Sequence, residues 1–424
     1  MKVALVVGGG VPNPTASGGA LTAWTVLHHL LARGDEVTVV ALRDPEHYEP
    51  TGVAETERAA RVRGAGAEVV TVVSSSTDYF RTRPRGAFDR VRRAVDPLDE
   101  ELQPHLVDAP EVTRAVDELG ADAAWVYHWE ALAATRGLAT PRFAAVGDPP
   151  LYSAWYRFRD LLPHPSALRR VNRLQAHARR EPRLLARLLN ECAASGAFAA
   201  HHAAWLRQRG ATGCEYLRTP VPDPGLRAAP EGKPRILLVG HLKGVVTLDG
   251  LRRFAHGILP ELERELGADG FEVRIAGGYE PPPDLAHALG RPSVTFLGHV
   301  EGAEDEFRRA HVLLVPNSIS LGVRVRIVTA LSFGTCVVSD VANTRGIPEL
   351  EHEQNALIGR TTDELAAAVV RVIRGDALRA RLGAGGRETY ERAFAPPVAA
   401  GAIASTLDRI ARPSARPRQR AAAG

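Results

Sequence analysis

The spacing of apolar residues along the chain predicts alternating strands and helices. Residues 3–7, directly after Lys2, form a short continuous apolar run, so residues 2–7 are predicted to be a strand that is buried on both faces. After a loop rich in Gly, Pro, Asn and Ser, apolar residues recur at helical spacing over 20–33, and Gly34 is a helix stop signal. A second apolar run covers 36–42. Strand, helix and strand in this order predict a βαβ unit of a parallel sheet.

The same alternation starts again in the second half of the chain and predicts two domains. A segment rich in Pro and charge, 219–234, separates the halves and is typical of a linker. We therefore predict an α/β protein of two Rossmann-like, doubly wound parallel-sheet domains that face a central cleft. Further strands are predicted at 68–73, 123–127, 142–146, 235–239, 272–276, 294–297, 312–315 and 336–339, and further helices at 250–266, 325–333 and 362–374.

The predicted division of the 424 residues follows from these breaks. It consists of an N-terminal, acceptor-side domain over 1–222, a linker over 223–234, a C-terminal, donor-binding domain over 235–396, a helix over 397–411 that packs back on the N-terminal domain, and a disordered tail over 412–424.

Composition narrows the class of protein. Apolar residues make up 45% of the chain and the net charge is only +4, which excludes wholesale disorder and gives no reason to expect nucleic acid as a partner. The three cysteines are widely spaced without a CxxC motif, which predicts a cytoplasmic protein with neither a disulfide framework nor a zinc site. We also expect no signal peptide and no membrane-spanning segment, because the apolar runs are short.

Two segments are locally basic although the whole chain is nearly neutral. Residues 81–93 hold six arginines, and residues 157–187 hold nine. One interpretation is a solvated helix face in an arginine-rich protein. The other is peripheral contact with anionic lipid at the inner membrane face, or with a phosphorylated acceptor.

The loop after the first strand does not carry a standard nucleotide motif. Gly8-Gly9-Gly10 follows the strand, but the third glycine position of the dinucleotide fingerprint is Asn13, and no P-loop GK[ST] occurs. Gly18 and Gly19 stand directly before the predicted helix. They would let an anionic ligand approach the helix N-terminus, where free N–H groups and the helix dipole favour negative charge.

An ordered set of motifs in the second half resembles the C-terminal domain of retaining glycosyltransferases of family 4 (group 1), which have the GT-B fold. The family order is V-x-F-x-G-x-V, a strand ending in P-S, a glycine-led helix, and G-x-P-E. The first half is similar to theirs in Gly18-Gly19 and in the R-G-x-E-V-T-V-V stretch at 33–40. The matching segments of the second half are 294–300, 312–318, 322–339, 346–349 and 355–358.

The resemblance implies a nucleoside-diphosphate-sugar donor bound to the C-terminal domain. Departure of the diphosphate needs fixed positive charge and N–H donors. Arg324 and Arg326 start a predicted helix, and Lys243, one of three lysines in the chain, matches the K-G motif of the family. Glu349 is expected to accept hydrogen bonds from donor hydroxyls. The full set of predicted donor-binding residues is Gly18, Gly19, Gly240, His241, Lys243, Gly244, Gly298, Arg324, Arg326, Thr329 and Glu349.

The sequence departs from the family at three charged positions. The paired glutamates of the family fall on Leu321 and Thr329, and His241 is the nearest residue to the arginine that normally precedes the K-G lysine. Thr329 retains a hydroxyl for the donor, whereas Leu321 has no polar group. These departures put the donor, and the activity itself, in question.

Acceptor-side residues are predicted at the ends of two strands of the first half. His128 and Glu130 follow one strand and Asp148 follows the next, so all three are candidates to orient or deprotonate an acceptor hydroxyl. The predicted catalytic residues are therefore His128, Asp148, Lys243 and Arg326.

Taken together, the sequence predicts a retaining glycosyltransferase that needs neither a metal nor a bound cofactor. Its expected partners are a nucleotide-sugar donor and a hydroxyl acceptor, which could be a sugar, a lipid-linked sugar or a small metabolite. Two alternatives stay open at this point: a catalytically silent GT-B-like binding subunit, and a sugar-nucleotide epimerase.

Overall fold

The computed structural model describes most of the chain and every predicted site residue. The described residues are 1–8, 11–15, 17–43, 55–73, 110–150, 156, 182–300 and 302–411. The basic segment 81–93, most of the basic segment 157–187, Gly9, Gly10 and the tail over 412–424 lie outside the described residues.

The first domain is built on a sheet of seven parallel strands in the order β3-β2-β1-β4-β5-β6-β7. Helices in this domain cover Gly18–Ala32, Glu55–Gly64, Pro110–Leu119, His128–Ala134, 182–190 and Ala200–Gln208. The strands are β1 (Lys2–Val7), β2 (Glu36–Arg43), β3 (Glu68–Val73), β4 (Ala123–Tyr127), β5 (Arg142–Val146), β6 (Ala194–Ala197) and β7 (Cys214–Tyr216).

The second domain has a sheet of six parallel strands in the order β10-β9-β8-β11-β12-β13. Its strands are β8 (Arg235–Val239), β9 (Glu272–Ala276), β10 (Val294–Gly298), β11 (Val312–Val315), β12 (Val337–Asp340) and β13 (Leu357–Gly359). Its helices cover Val245–Arg253, Leu259–Leu266, Pro283–Ala288, Glu304–Arg309, Val325–Phe333, Thr362–Arg374 and Asp376–Ala393, with a π turn at Phe254–Ile258 and a 3₁₀ turn at Val341–Arg345. The prediction of two doubly wound parallel-sheet domains is confirmed.

Strand order places the functional loops. In the first sheet β1 pairs with both β2 and β4, and in the second β8 pairs with both β9 and β11. The chain therefore leaves in opposite directions on either side of β1 and of β8, and such switch points open a crevice at the carboxyl ends of the strands. The loops after β1, β4, β8 and β11 border this crevice.

The last helix, Pro396–Ala411, returns to the first domain. Ala400, Ile403 and Leu407 are buried in the core formed by one face of the first sheet. At the surface both terminal guanidinium nitrogens of Arg33 donate to the Asp408 carboxylate, at 2.7 and 3.0 Å. This packing ties the end of the described chain to the N-terminal domain.

Some element boundaries differ from the prediction. The helix expected to start at Gly250 starts at Val245, so half of the predicted loop 240–249 is helical. The sequence did not indicate β6, β7 or β13, which have three or four residues each. Strands this short carry too few apolar residues for a recognisable pattern, and their pairing to a neighbouring strand defines them.

Candidate active site in the interdomain cleft

A cleft of about 850 Å³ lies between the two domains and contains most of the predicted site residues. The helices Gly18–Ala32 and Val325–Phe333, here called the N-domain and C-domain cleft helices, meet at their first residues. A Cβ on Gly18 would lie only 2.7 Å from Cγ2 of Val325, so glycine allows this close approach. The predicted residues that line the cleft are Gly18, Gly19, His128, Asp148, Gly240, His241, Arg324, Arg326 and Thr329.

The two cleft helices differ in whether a side chain accepts a hydrogen bond from the N–H groups of the first turn. In the N-domain cleft helix the Ser17 hydroxyl caps the first turn by accepting a hydrogen bond from the Ala20 N–H at 3.1 Å. In the C-domain cleft helix the N-cap residue is Arg324, and no side chain among the described residues caps the first turn. The free N–H groups of that turn are available to an anion, which the helix dipole also favours.

Arg324 and Arg326 add positive charge at this same helix start. Burial lowers the pKa of both guanidinium groups, and the neighbouring Arg324 helps to lower the pKa of Arg326 to about 9. Arg324 donates to the Leu321 carbonyl, while its buried Nε has no hydrogen-bond partner among the described residues. Buried, incompletely compensated cations with unused donors are the features expected of an anion site.

The glycine loop after β8 lies directly beneath Arg326. A Cβ on Gly240 would be 2.5 Å from a terminal nitrogen of the Arg326 guanidinium and 2.6 Å from the Thr247 hydroxyl. On the other side Arg326 donates a long hydrogen bond, 3.4 Å, to the side-chain oxygen of Asn317. The guanidinium is thus positioned by the backbone of one loop and the amide of another.

His128 occupies the acceptor side of the cleft in a strained conformation. Its φ is +73°, a left-handed value that non-glycine residues adopt mainly where function or surroundings require it. A Cβ on Gly19 would be 3.2 Å from the His128 Nε2, and one on Gly147 would be 3.0 Å from the Nδ1. Burial lowers the pKa of His128 and Glu130 partly opposes this shift, so the ring is neutral at neutral pH.

Asp148 lies between the domains. The indole N–H of Trp129 donates to the Asp148 carbonyl at 2.9 Å and fixes its backbone. The carboxylate lies against Gly322, whose φ of +64° and missing Cβ make room for it. Burial raises the pKa of Asp148, and the charge of Arg324 partly opposes the shift. His202 faces the same carboxylate, with its Nδ1 3.5 Å from Oδ1.

Lys243 and His241 lie on the loop that follows β8. His241 lines the cleft, whereas the exposed Lys243 is not among the lining residues. The Lys243 ammonium lies 3.9 Å from the centroid of the Tyr279 ring, and the His241 ring contacts the same tyrosine edge-on at 4.8 Å. Tyr279 has a left-handed φ of +74°. The structure thus places Lys243 beside the cleft on an aromatic platform.

Glu349 contacts the other domain rather than the cleft. Its carboxylate accepts hydrogen bonds from the Tyr216 hydroxyl at 3.0 Å and from the Arg218 Nε at 2.7 Å. Tyr216 belongs to β7 of the first domain. In this structure the carboxylate oxygens that were expected to bind donor hydroxyls therefore hold the two domains together.

Of the remaining predicted residues, only Thr329 lines the cleft. Thr329 lines the cleft, and its hydroxyl donates to the Val325 carbonyl at 3.1 Å. Leu321 is buried with Val246 and Ile319. Gly244, Gly298 and Glu130 are not among the lining residues.

Sequence reasoning missed several polar residues beside the cleft. His201 and His202 begin the helix that follows β6, and a buried amide pair joins Asn317 to Asn343 at 3.0 Å. Since β6 was not predicted, the position of the histidine pair at the carboxyl end of a parallel strand was not recognised. Two histidines directly after a predicted parallel strand are the signal that would have identified this pair as candidate site residues.

The described part of the chain has neither a metal-binding cluster nor a membrane-spanning helix. Among the described residues no group of three or more His, Cys, Asp and Glu side chains is arranged to hold a metal ion. No helix in the described part of the chain combines the length and apolar character needed to cross a membrane.

The sequence of the second domain matches a known family model. The family is described as glycosyl transferases group 1, and the match covers residues 233–375, which is 143 of 424 residues. It includes Lys243, Arg324, Arg326 and Glu349. No curated protein matches the sequence significantly.

Solved structures share the fold over 96% to 97% of this chain. A glycosyltransferase from Rickettsia africae is 10% identical with a TM-score of 0.64, covering 97% of this chain and 99% of that one. Sucrose-phosphate synthase from Thermosynechococcus elongatus is 13% identical with a TM-score of 0.67, covering 96% and 98%. Anabaena HepE, in complex with UDP and glucose, is 14% identical with a TM-score of 0.64, covering 96% and 99%.

The fold and the cleft together define the class of protein. Two parallel-sheet domains that face a cleft form a GT-B fold, and the expectation of that fold is confirmed. More particularly, the second domain carries the group 1 glycosyltransferase match.

Proposed function

We propose that this protein is a glycosyltransferase that moves a sugar from a nucleoside-diphosphate sugar to a hydroxyl acceptor, with retention of anomeric configuration. The observation that carries the proposal is the uncapped start of the C-domain cleft helix, where Arg324 and Arg326 lie half-buried. Its occurrence within the segment that matches the group 1 family supports a diphosphate as the anion.

The proposed donor site stabilises the leaving group. As the bond from the sugar to the diphosphate breaks, negative charge grows on the departing phosphate oxygen. Arg326, the Arg324 Nε and the N–H groups of the first helical turn stabilise that charge. Lys243 approaches the diphosphate from the Tyr279 platform, and Thr329 offers a hydroxyl to the donor. These cations take the role that a metal ion has in other transferases, so we propose that the reaction is independent of metal.

The proposed acceptor site lies on the first domain. The neutral ring of His128 accepts a hydrogen bond from the acceptor hydroxyl and directs the oxygen toward the sugar. In a retaining reaction the hydroxyl proton leaves this hydrogen bond for the departing phosphate oxygen as the bond from the acceptor oxygen to the sugar forms, so His128 and Asp148 orient the acceptor and do not keep its proton. Retention rests on the resemblance to family 4.

A turnover assay on the purified protein tests this proposal. UDP-glucose is a suitable first donor, because a structure of HepE contains it, and ADP-glucose and GDP-mannose extend the panel. We expect release of nucleoside diphosphate together with a glycosylated acceptor, in the presence and absence of EDTA. NMR of the product gives the anomeric configuration.

Two other outcomes would contradict transferase activity. Tight donor binding without turnover would identify a catalytically silent subunit, to which the loss of a carboxylate at Leu321 points. An epimerised free nucleotide sugar would identify an epimerase.

A further inference from the structure

One imidazole joins the two domains beside the cleft. His201, at the start of the N-domain helix Ala200–Gln208, contacts two carbonyl groups of the other domain. Its Nδ1 lies 3.0 Å from the Arg345 carbonyl oxygen and its Nε2 lies 3.1 Å from the Ser320 carbonyl oxygen. The preceding N–H, that of Ala200, donates to the carbonyl of Gly346 at 3.3 Å.

The chemistry of this contact depends on the protonation state of the ring. A carbonyl oxygen can only accept a hydrogen bond, and a neutral imidazole has a single N–H. Both contacts are hydrogen bonds only when both ring nitrogens carry protons. We infer that His201 is a positioning residue that ties the C-terminal domain, at the Ser320 and Arg345 carbonyls, to the N-terminal domain with one hydrogen bond when neutral and with two when protonated.

The loop that His201 holds carries part of the proposed donor site. The Ser320 hydroxyl donates to the Ala342 carbonyl at 2.6 Å, and Arg324 donates to the Leu321 carbonyl within the loop. Gly322, between these residues, lies against Asp148 of the first domain. Fixing the Ser320 carbonyl therefore fixes the path of the backbone that leads to Arg324 and to the uncapped helix start.

The charged groups around His201 oppose its protonation in the free protein. Burial and the charges of Arg345 and Arg324 lower its pKa, while the two carbonyl contacts act in the opposite direction. The His202 ring, 4.1 Å away, is itself neutral because its pKa is lowered well below the usual value. Asp148 faces His202 at 3.5 Å. At neutral pH the free protein therefore holds only one of the two carbonyls, that of Ser320 or that of Arg345, through the single N–H of His201.

Donor binding reverses part of this electrostatic effect. A diphosphate bound at Arg324 and Arg326 offsets the positive charge that His201 experiences, so the pKa of His201 rises in the complex. The sign of the linkage follows: binding takes up protons, and donor affinity increases as pH falls through the His201 titration. This inference rests on the proposed donor site, because the anion at Arg324 is what raises the pKa.

Calorimetry with nucleotide sugars tests the inference. UDP-glucose, ADP-glucose and GDP-mannose are suitable probes, since a diphosphate diester does not titrate between pH 6 and pH 8. We expect wild-type affinity to rise about threefold to tenfold from pH 8 to pH 6, the value of one further hydrogen bond. Titrations in two buffers with different ionisation heats measure the protons taken up.

His201→Gln is the informative variant, because glutamine donates to a carbonyl but has no protonated form in this range. We expect its donor affinity to be independent of pH within about twofold, so that the added hydrogen bond is lost. His287→Gln is the matched control, since His287 is exposed on the helix Pro283–Ala288. It should behave as the wild type does.

The outcomes separate this inference from the proposed function. If a nucleotide sugar binds and His201→Gln keeps the wild-type pH dependence and proton uptake, the role of His201 is wrong while the donor site stands. If no nucleotide sugar binds, both fail. Should the variant not fold, NMR titration of the His201 ring in the wild type decides: its pKa has to rise when the probe binds, and an unchanged or lower pKa contradicts the inference.

Discussion

The two domains have the same architecture and contribute opposite chemistry to the cleft. Each presents the N-terminus of a helix at a switch point of its sheet, yet Ser17 caps the first turn of the N-domain cleft helix and leaves less of it for a ligand. The C-domain cleft helix has no side-chain cap among the described residues, and two arginines flank its start. The first domain supplies the neutral, strained His128 instead.

This contrast shows how a duplicated fold can separate two tasks. Anion binding needs donors that have no internal partner, and those are found on the second domain. Orientation of a neutral hydroxyl needs an uncharged acceptor in a fixed position, and that is found on the first. Variants in the two domains test whether donor binding and acceptor orientation depend on separate residues, as the geometry indicates.

The largest effect is expected at His128. Asparagine tolerates left-handed backbone, so His128→Asn should fold but lose the ring, and we expect kcat to fall about 100-fold. Donor affinity should stay within about threefold of the wild type, because the arginines of the proposed donor site lie on the other domain. Steady-state kinetics and calorimetry measure the two quantities. A variant that loses donor affinity as severely as turnover would show that the tasks are shared.

The same histidine sets an acidic limb in the pH profile. Burial lowers its pKa below the ordinary value of 6.5, so the neutral ring predominates at neutral pH. We expect kcat to fall as pH decreases through that lowered pKa, since the protonated ring cannot accept a hydrogen bond. The limb should be absent in His128→Asn, and a limb that persists there would assign it to another group.

Arg326→Ala should have the next largest effect, on donor affinity rather than on kcat. Loss of a charge-assisted contact to the diphosphate is expected to weaken donor binding about 10-fold to 100-fold. Arg409→Ala, an exposed arginine on the last helix, is the matched control. Equal losses of donor affinity for Arg326→Ala and Arg409→Ala would contradict the proposed site.

Lys243→Ala should reduce donor affinity only about twofold to fivefold, because the exposed lysine has to leave its contact with Tyr279 to bind the diphosphate.

Gly18→Ala tests the contact between the two cleft helices, and its expected effect on activity is smaller than that of His128→Asn. Its Cβ would clash with Val325, so the two cleft helices have to separate, and we expect kcat/KM to fall about tenfold with little change in Tm. The double variant with Val325→Gly should recover most of the loss, because the Val325 Cβ itself would lie 2.9 Å from the added Cβ and has to be removed as well. Gly213→Ala, with open space around the added Cβ, is the control. A failure of the double variant to recover would place the defect elsewhere.

Local pattern was sufficient for most of the fold. Short segments of five or six residues rich in apolar side chains predicted β1, β3, β4, β5, β8 and β9 with the observed bounds, because strands of a sheet that is covered on both faces have this composition. The start of the C-domain cleft helix was predicted at the correct residue, Val325, together with its two arginines. These features depend on residues that are neighbours along the chain.

Other features depend on residues that are far apart along the chain. Glu349 contacts Tyr216 and Arg218, more than a hundred residues away, and this partner choice is not visible in a motif. Likewise, Lys243 stacks on Tyr279 and His201 bridges Ser320 and Arg345. Motif spacing places a residue on a loop but does not determine which other loop it faces.

By itself, the sequence determined two parallel sheets, a likeness to a glycosyltransferase family and a positively charged helix start. The tertiary structure decided which helix N-terminus stays uncapped, which carboxylates are engaged between the domains, and which histidine is strained beside the cleft. The physical reason is that hydrophobic periodicity acts along a segment, whereas burial, capping and charge compensation are properties of groups that meet only when the two domains pack together.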